Sequence, residues 1–311
     1  MIGLGISLGT QLTFAALPNI WPLMLGVVAW EMLSHFAPQS RVSRTGRFIV
    51  YGFLFLVLTC IFAVIAAYAV QRLVLPLQDK LFTDADAALG MHWFAIAYWV
   101  DAHPAIATIL SWAYFSMSWQ IALPLFVLAA VDRLSEVRVY LLAIAIALVV
   151  TTIVSGLLPA ESPIALVERS MFRVLRFTGA TPIEHLMRLR TAAPLRLTEG
   201  LGGIVSFPSF HATVAWLTPL MLRRYRYLLG PLIVVDALML CATVTEGAHY
   251  GTDVIAGSLV AFVAYALARR LLKAEARLFH IRRQQTSGRW TAASPTRQAG
   301  SGAAAPTSAA A

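Results

Sequence analysis

Phe48-Ile-Val-Tyr-Gly-Phe-Leu-Phe-Leu-Val-Leu-Thr-Cys-Ile-Phe-Ala-Val-Ile-Ala-Ala-Tyr-Ala-Val70 is a run of 23 residues without a single charge. About 18–20 apolar residues suffice for a helix to cross the hydrocarbon core of a bilayer. The run therefore reads as a membrane span, and the rest of the chain repeats the pattern. Further spans are expected at Ile20–Phe36, Ala105–Val131, Val139–Leu158, Ile204–Leu222, Tyr227–Thr245 and Asp253–Leu272. In the first of them Pro18 and Pro22 break the apolar stretch and Glu31 breaks its polarity.

Composition agrees. The 311 residues are 59% hydrophobic and 13% charged, about half the charged share of a soluble domain. A soluble enzyme, a disulfide-stapled secreted module and a disordered chain are excluded. The expected fold is all-α, a polytopic helix bundle over residues 1–283. From Gln284 the chain is small and polar, without apolar periodicity, and is expected to be a disordered cytoplasmic tail (284–311). Cys60 and Cys241 each sit inside an apolar run, so neither a disulfide framework nor a cysteine-rich metal site is on offer. The first charge is Glu31, so the N-terminal stretch lacks the basic start of a signal peptide and reads as a retained span.

The net charge of +9 follows topology rather than nucleic acid. Arg41, Arg44 and Arg47 fill the first connection, Arg133 and Arg138 the third, Arg223, Arg224 and Arg226 the fifth. Arg269, Arg270, Lys273, Arg277, Arg282 and Arg283 follow the last span. Alternating spans put all four groups on one face, the cytoplasmic one by the positive-inside rule. On the other face, Gln71–Pro104 mixes Asp79, Asp84, Asp86 and Asp101 with Trp93 and Trp99, as expected of a segment lying in the headgroup layer. Pro159–Gly203 carries six arginines there, only partly offset by Glu161, Glu168, Glu184 and Glu199. That excess suggests an anionic ligand.

Two polar clusters open apolar helices on this outer face: Gly203-Ile-Val-Ser206-Phe-Pro208-Ser209-Phe210-His211-Ala212 and Glu246-Gly-Ala-His249-Tyr-Gly-Thr-Asp253. Ionisable groups at membrane depth are costly and are functional candidates by default. His249 and Asp253 are four apart, stacked on one face if helical. The carboxylate would then accept from one imidazole nitrogen and leave the other as a lone pair, half of a nucleophilic arrangement. Pro208-Ser209 suits a helix start, whose amides and dipole make an anion pocket; His211 could protonate a leaving oxygen. The same i,i+4 pair would also serve as an ion pair or half a metal site. In the sixth span Asp236 reads as a structural hydrogen-bond partner. Tyr114, Ser116 and Gln120 in the third read as helix glue, with pocket lining the alternative.

Ser206-Phe-Pro-Ser-Phe-His211 followed by His249-Tyr-Gly-Thr-Asp253 resembles the second and third motifs of the phosphatidic acid phosphatase type 2 superfamily, in the form of its inositol phosphorylceramide synthase-like branch. The likeness is clear from about Leu157 to Gly257. It implies a six-helix core, here with an extra N-terminal span. His249 would attack phosphorus to give a phosphohistidine, Asp253 would orient it, and His211 would act as acid and base. Ser209 and Phe210 would contact the phosphoryl oxygens, with no metal and no cofactor. The implied substrate is a lipid phosphate taken from the bilayer, with water, an alcohol or inositol as acceptor. The implied setting is a bacterial inner membrane with the site facing the periplasm.

The sequence departs from the pattern in two places. Thr243 and Val244 stand where the widespread third motif has Ser-Arg, and the first motif has no clear match. A replacement arginine is expected from the basic connection: Arg190 first, because similar bacterial sequences tend to carry an arginine there, then Arg188, Arg176 and Arg173. A bidentate guanidinium there would neutralise charge on the transferring phosphoryl. Two rival readings use the same residues. One is an anion transporter or channel with a basic outer vestibule, against which stands the lack of internal repeats. The other is a zinc hydrolase ligated by His211, His249 and Asp253.

Overall fold

The structure is a computed structural model. It describes residues 40–174, 180–191 and 203–292, with short pieces at 6–8, 12–14, 28, 31–32 and 195–197. The span expected at Ile20–Phe36 falls almost wholly outside the described residues. The chain forms two compact units, Met1–Arg269 and Arg270–Ala311; the bundle and the site belong to the first.

The fold is a helical bundle. Helix α1 is Arg41–Gln71, α2 Asp79–Ala88, α3 Trp93–Asp101, α4 Pro104–Phe115, α5 Met117–Gln120, α6 Leu123–Ala130, α7 Leu134–Leu157, α8 Ala180–Arg190, α9 Phe210–Leu222, α10 Arg226–Thr245 and α11 Gly251–Ala292. Three three-residue strands, β1 Ile6–Leu8, β2 Leu12–Phe14 and β3 Leu195–Leu197, form a small sheet, β1 antiparallel to β2 and β2 parallel to β3. Among the described residues four helices are long and apolar enough to cross a membrane: α1, α7, α10 and α11 over Gly251–Phe279. α1 packs on α7, and α10 packs on α9 and α4.

Two expected spans take a different form. The third is broken: α4–α5 and α6 meet at a 50° bend. Pro124 in the first turn of α6 has no N–H for the carbonyl of Gln120, four residues back. The Thr218 hydroxyl donates to that oxygen at 3.4 Å, and the Tyr140 hydroxyl donates to the next one, Ile121 O, at 2.6 Å. The kink therefore leaves neither carbonyl unsatisfied. The fifth span, expected from Ile204, becomes helical only at Phe210, because Pro208 lacks a donor and Ser209 caps the helix at its own position. Its 13 residues span only about 20 Å at 1.5 Å per residue, and residues 203–209 precede it as non-helical chain. The last helix, α11, runs on to Ala292, nine residues into the segment read as a structureless tail, since extending a formed helix is far cheaper than nucleating one.

The assignment of the arginine-rich connections to one face agrees with how they meet. Arg44 of the first connection pairs with Asp132 of the third at 3.0 Å, and Arg133, Glu136, Arg223 and Arg224 of the third and fifth share one recess.

On the opposite face Gln71–Pro104 is not a loose interfacial loop. It folds into α2 and α3, and three of its four aspartates, Asp79, Asp86 and Asp101, accept from distant backbone N–H groups, while Asp84 pairs with Lys80 at the surface. Asp101 accepts from Arg173 N (2.9 Å) and Val174 N (2.7 Å). Asp86 accepts from Gly251 N (2.7 Å) and Thr252 N (2.8 Å), so it caps α11 and sits at the positive end of its dipole. Asp86→Ala is expected to cost about 1–3 kcal/mol, read as a lower melting temperature in detergent. An unchanged melting curve would remove the cap from the account.

Candidate active site

The ends of α9 and α11 carry the two polar clusters, and the backbone itself joins them. Ser209 is the N-cap of α9: its side chain accepts from Ala212 N at 3.3 Å, and its own N–H donates to the carbonyl of Asp253 at 3.0 Å. One turn further, the Thr213 hydroxyl donates to Gly257 O at 2.9 Å. The helices approach so closely here that a Cβ on Gly257 would lie 2.1 Å from Ser209 O.

His249 and Asp253 are almost fully buried, 3% and 0% exposed. The expected contact between them is present, at 3.5 Å, within a three-residue arrangement. His249 Nδ1 lies 2.8 Å from the carbonyl of Ser206 and 3.5 Å from Asp253 Oδ2. A carbonyl only accepts, so Nδ1 carries the proton and Nε2 keeps a lone pair. Asp253 Oδ2 accepts from the Ser206 hydroxyl at 2.7 Å and from Tyr250 N at 2.9 Å. α11 starts at Gly251, so His249 precedes the helix and reaches Asp253 from the loop rather than as a stacked helical pair. Ser206 therefore braces both members of the pair, a role its place in the motif hinted at but did not assign.

His211 faces the same space. Its ring centroid is 5.6 Å from that of His249, at 66°, and the ring stacks on Tyr114 at 4.1 Å. Tyr114, read from sequence as helix glue, is thus a wall of the site. Both imidazoles line a cavity of about 460 Å³. Its polar lining includes Glu161, Ser162, Ser206, His211 and His249; the lining is otherwise mostly apolar, with Cys60 and Val64 of α1, Met117 of α5 and Leu148 of α7. Phe210 lines it too, at the positive end of the α9 dipole.

The remaining predicted residues lie elsewhere. Ser209 is buried and occupied by its capping and backbone bonds. Arg190 donates to Leu75 O at 2.8 Å and does not line the cavity, although its charge reaches Glu161. Arg188 and Arg173 are exposed, and Arg176 lies outside the described residues. Among the described residues lining the cavity there is no lysine or arginine. α8 contributes apolar side chains instead, Ile183 and Leu186. Asp236 is buried in α10, outside the cavity lining. Among the described residues no three His, Cys, Asp or Glu side chains cluster as a metal site.

Glu161 escaped the sequence reading as a site residue. Burial first, then the neighbouring Asp79, raises its carboxyl above the ordinary glutamate range, with Arg190 pulling the other way.

A family model described as the PAP2 superfamily matches residues 80–267, which include both clusters and every helix from α3 to α10. No curated protein and no solved structure matches the chain.

Proposed function

The chain belongs to the PAP2 superfamily, and on that footing we propose a membrane-embedded lipid phosphatase or phosphotransferase that works through a phosphohistidine, without a metal. One observation carries the reading: the imidazoles of His249 and His211, 5.6 Å apart, share a cavity, the first with Nδ1 tied to a carbonyl and a lone pair on Nε2.

In the first step His249 Nε2 attacks phosphorus. The P–N bond forms as the P–O ester bond breaks, and the leaving oxygen takes a proton from His211. The proton on Nδ1 stays, donated to Ser206 O, and Asp253 at 3.5 Å balances the positive ring. In the second step a water or alcohol oxygen attacks phosphorus, gives its proton to His211, and the P–N bond breaks to restore His249. Positioning and charge neutralisation supply most of the acceleration. The α9 dipole faces the phosphoryl through Phe210 and His211. An arginine from the 159–203 connection, Arg190 or Arg188 by sequence, would assist only by moving inward when substrate binds.

The mostly apolar lining of the cavity fits a substrate with a hydrocarbon part, hence a phospholipid or an isoprenoid or sphingolipid phosphate from the bilayer. The inositol phosphorylceramide synthase-like form of the motifs adds transfer to a hydroxyl acceptor such as inositol. The face carrying the site, opposite the arginine-rich connections, would be the periplasmic face of a bacterial inner membrane.

The test is purified protein in detergent, given phosphatidic acid with EDTA present. Phosphate release should persist, and rapid quenching should trap an acid-labile phosphoprotein. Activity lost to the chelator and regained with zinc would instead identify a metal hydrolase. No release, together with anion uptake into liposomes, would identify a transporter.

A further inference from the structure

Glu161 and Ser162 line the cavity, yet nothing in the phosphoryl-transfer scheme uses either. Their backbone is held firmly. The Asp79 carboxylate accepts from Glu161 N at 2.9 Å and Ser162 N at 3.1 Å, and also from the hydroxyl of Tyr250 at 2.8 Å. Tyr250 follows His249, so one carboxylate ties this turn to the nucleophile. Ile164 N donates to Gly247 O at 3.3 Å and adds a second tie.

Ser162 stands at φ 99°, ψ 160°, a conformation that glycine favours and that costs a serine about 1–3 kcal/mol. The residue is 3% exposed, and its hydroxyl has no hydrogen-bond partner. Thr151, also 3% exposed and also lining the cavity, has a hydroxyl in the same condition. Buried hydroxyls are nearly always paired; here two residues in the wall of one cavity each leave a hydroxyl oxygen without a partner. A cavity of about 460 Å³ is in the range that holds a whole small molecule, far more than a phosphoryl group fills. A carboxylate in its wall repels a second anion and accepts from O–H donors.

We propose that Glu161 and Ser162 form a recognition subsite for a neutral polyhydroxyl group, either the headgroup of the donor lipid or the acceptor alcohol. Glu161 accepts from one hydroxyl, and Ser162 Oγ exchanges a hydrogen bond with a neighbouring one. The inference rests on the phosphoryl-transfer reading of His249 and deepens it by naming what lies beyond the phosphate.

Two arms of one experiment separate the sources, using the full chain in detergent. In the acceptor arm, phosphatidic acid is turned over with glycerol or myo-inositol added, and the ratio of transferred to hydrolysed product is read. In the donor arm, kcat/KM for phosphatidylglycerol and phosphatidylinositol is divided by that for phosphatidic acid. Glu161→Ala and Ser162→Ala should lower one of these ratios by about tenfold or more, the size expected for a hydrogen bond to a charged group. Glu161→Gln, which still accepts, should recover part of it. A purely structural role would reduce all activities together and leave both ratios unchanged, and that result would overturn the subsite. Should the unaltered protein release phosphate from no lipid, the His249 reading fails on its own. Calorimetric binding of myo-inositol and glycerol then decides the subsite: a dissociation constant weakened about tenfold in Glu161→Ala supports it, and an equal one refutes it.

Discussion

His249→Gln is expected to lower kcat by about 10⁴-fold or more, on the order of 5 kcal/mol of barrier. The size follows from the proposed chemistry, since among the described residues no other buried imidazole carries a lone pair fixed by a hydrogen bond at its opposite nitrogen. Glutamine is the informative replacement. Its amide can still donate to Ser206 O, so the loop keeps its anchor, but it offers no nucleophilic nitrogen. The melting temperature should therefore stay close to that of the unaltered protein while the trapped phosphoprotein disappears. His211→Ala should behave differently. It removes the proton donor, so an alkoxide leaving group departs slowly, whereas a p-nitrophenolate leaving group, which needs no proton, should still phosphorylate His249. Turnover by His249→Gln at a rate comparable to the unaltered protein would end the nucleophile assignment.

Most of the bundle was legible because a span announces itself by length and apolarity alone, as Phe48–Val70 does. The two residues that changed the picture, Pro124 and Pro208, were visible in the sequence. Their consequences depended on partners far along the chain: the Thr218 and Tyr140 hydroxyls that let a helix break at Gln120, and the Asp253 carbonyl that holds Ser209. Asp79, Asp86 and Asp101 were hidden for a related reason. A carboxylate that binds backbone N–H groups leaves no signal in the side chains of its partners, so an acidic aromatic segment reads like headgroup-layer chain. The same blindness hid how Ser206 enters the His249–Asp253 contact. Whether His249 lies on the helix depends on where α11 starts, and Asp86, 165 residues away, sets that point. Composition and spacing brought the two histidines to one face. They could not say that Ser206 rather than Asp253 would hold the imidazole directly, nor that Arg190 would turn to Leu75 O instead of into the cavity.

Gly257→Val should be as damaging as loss of a catalytic group, for a purely steric reason. Even the first added carbon would lie 2.1 Å from Ser209 O and 3.1 Å from Ala212 Cβ. The obstacle is backbone, which cannot swing aside as a flexible side chain would. Retreat of α9 would stretch three bonds at once: Ser209 N to Asp253 O, Thr213 Oγ1 to Gly257 O, and Ser206 Oγ to Asp253 Oδ2. These are the bonds that set His211 against His249. Overpacking of this kind costs about 1–3 kcal/mol or more, and a displacement near 1 Å at reacting groups costs about 10²-fold in rate. Gly257→Ala should therefore fold with a lowered melting temperature and lose about 10²-fold in kcat, while Gly257→Val should lose both activity and most of the folded protein. Gly230 in α10 provides the control, because a Cβ there would meet nothing within 4 Å. Gly230→Ala should leave turnover unchanged and shift melting only slightly, because the gain in helix propensity is offset by the clash that Pro231 imposes on a Cβ in the residue before it. Gly257→Val with ordinary melting and turnover would mean that α9 and α11 do not pack this closely, and with that approach would go the juxtaposition of the two imidazoles.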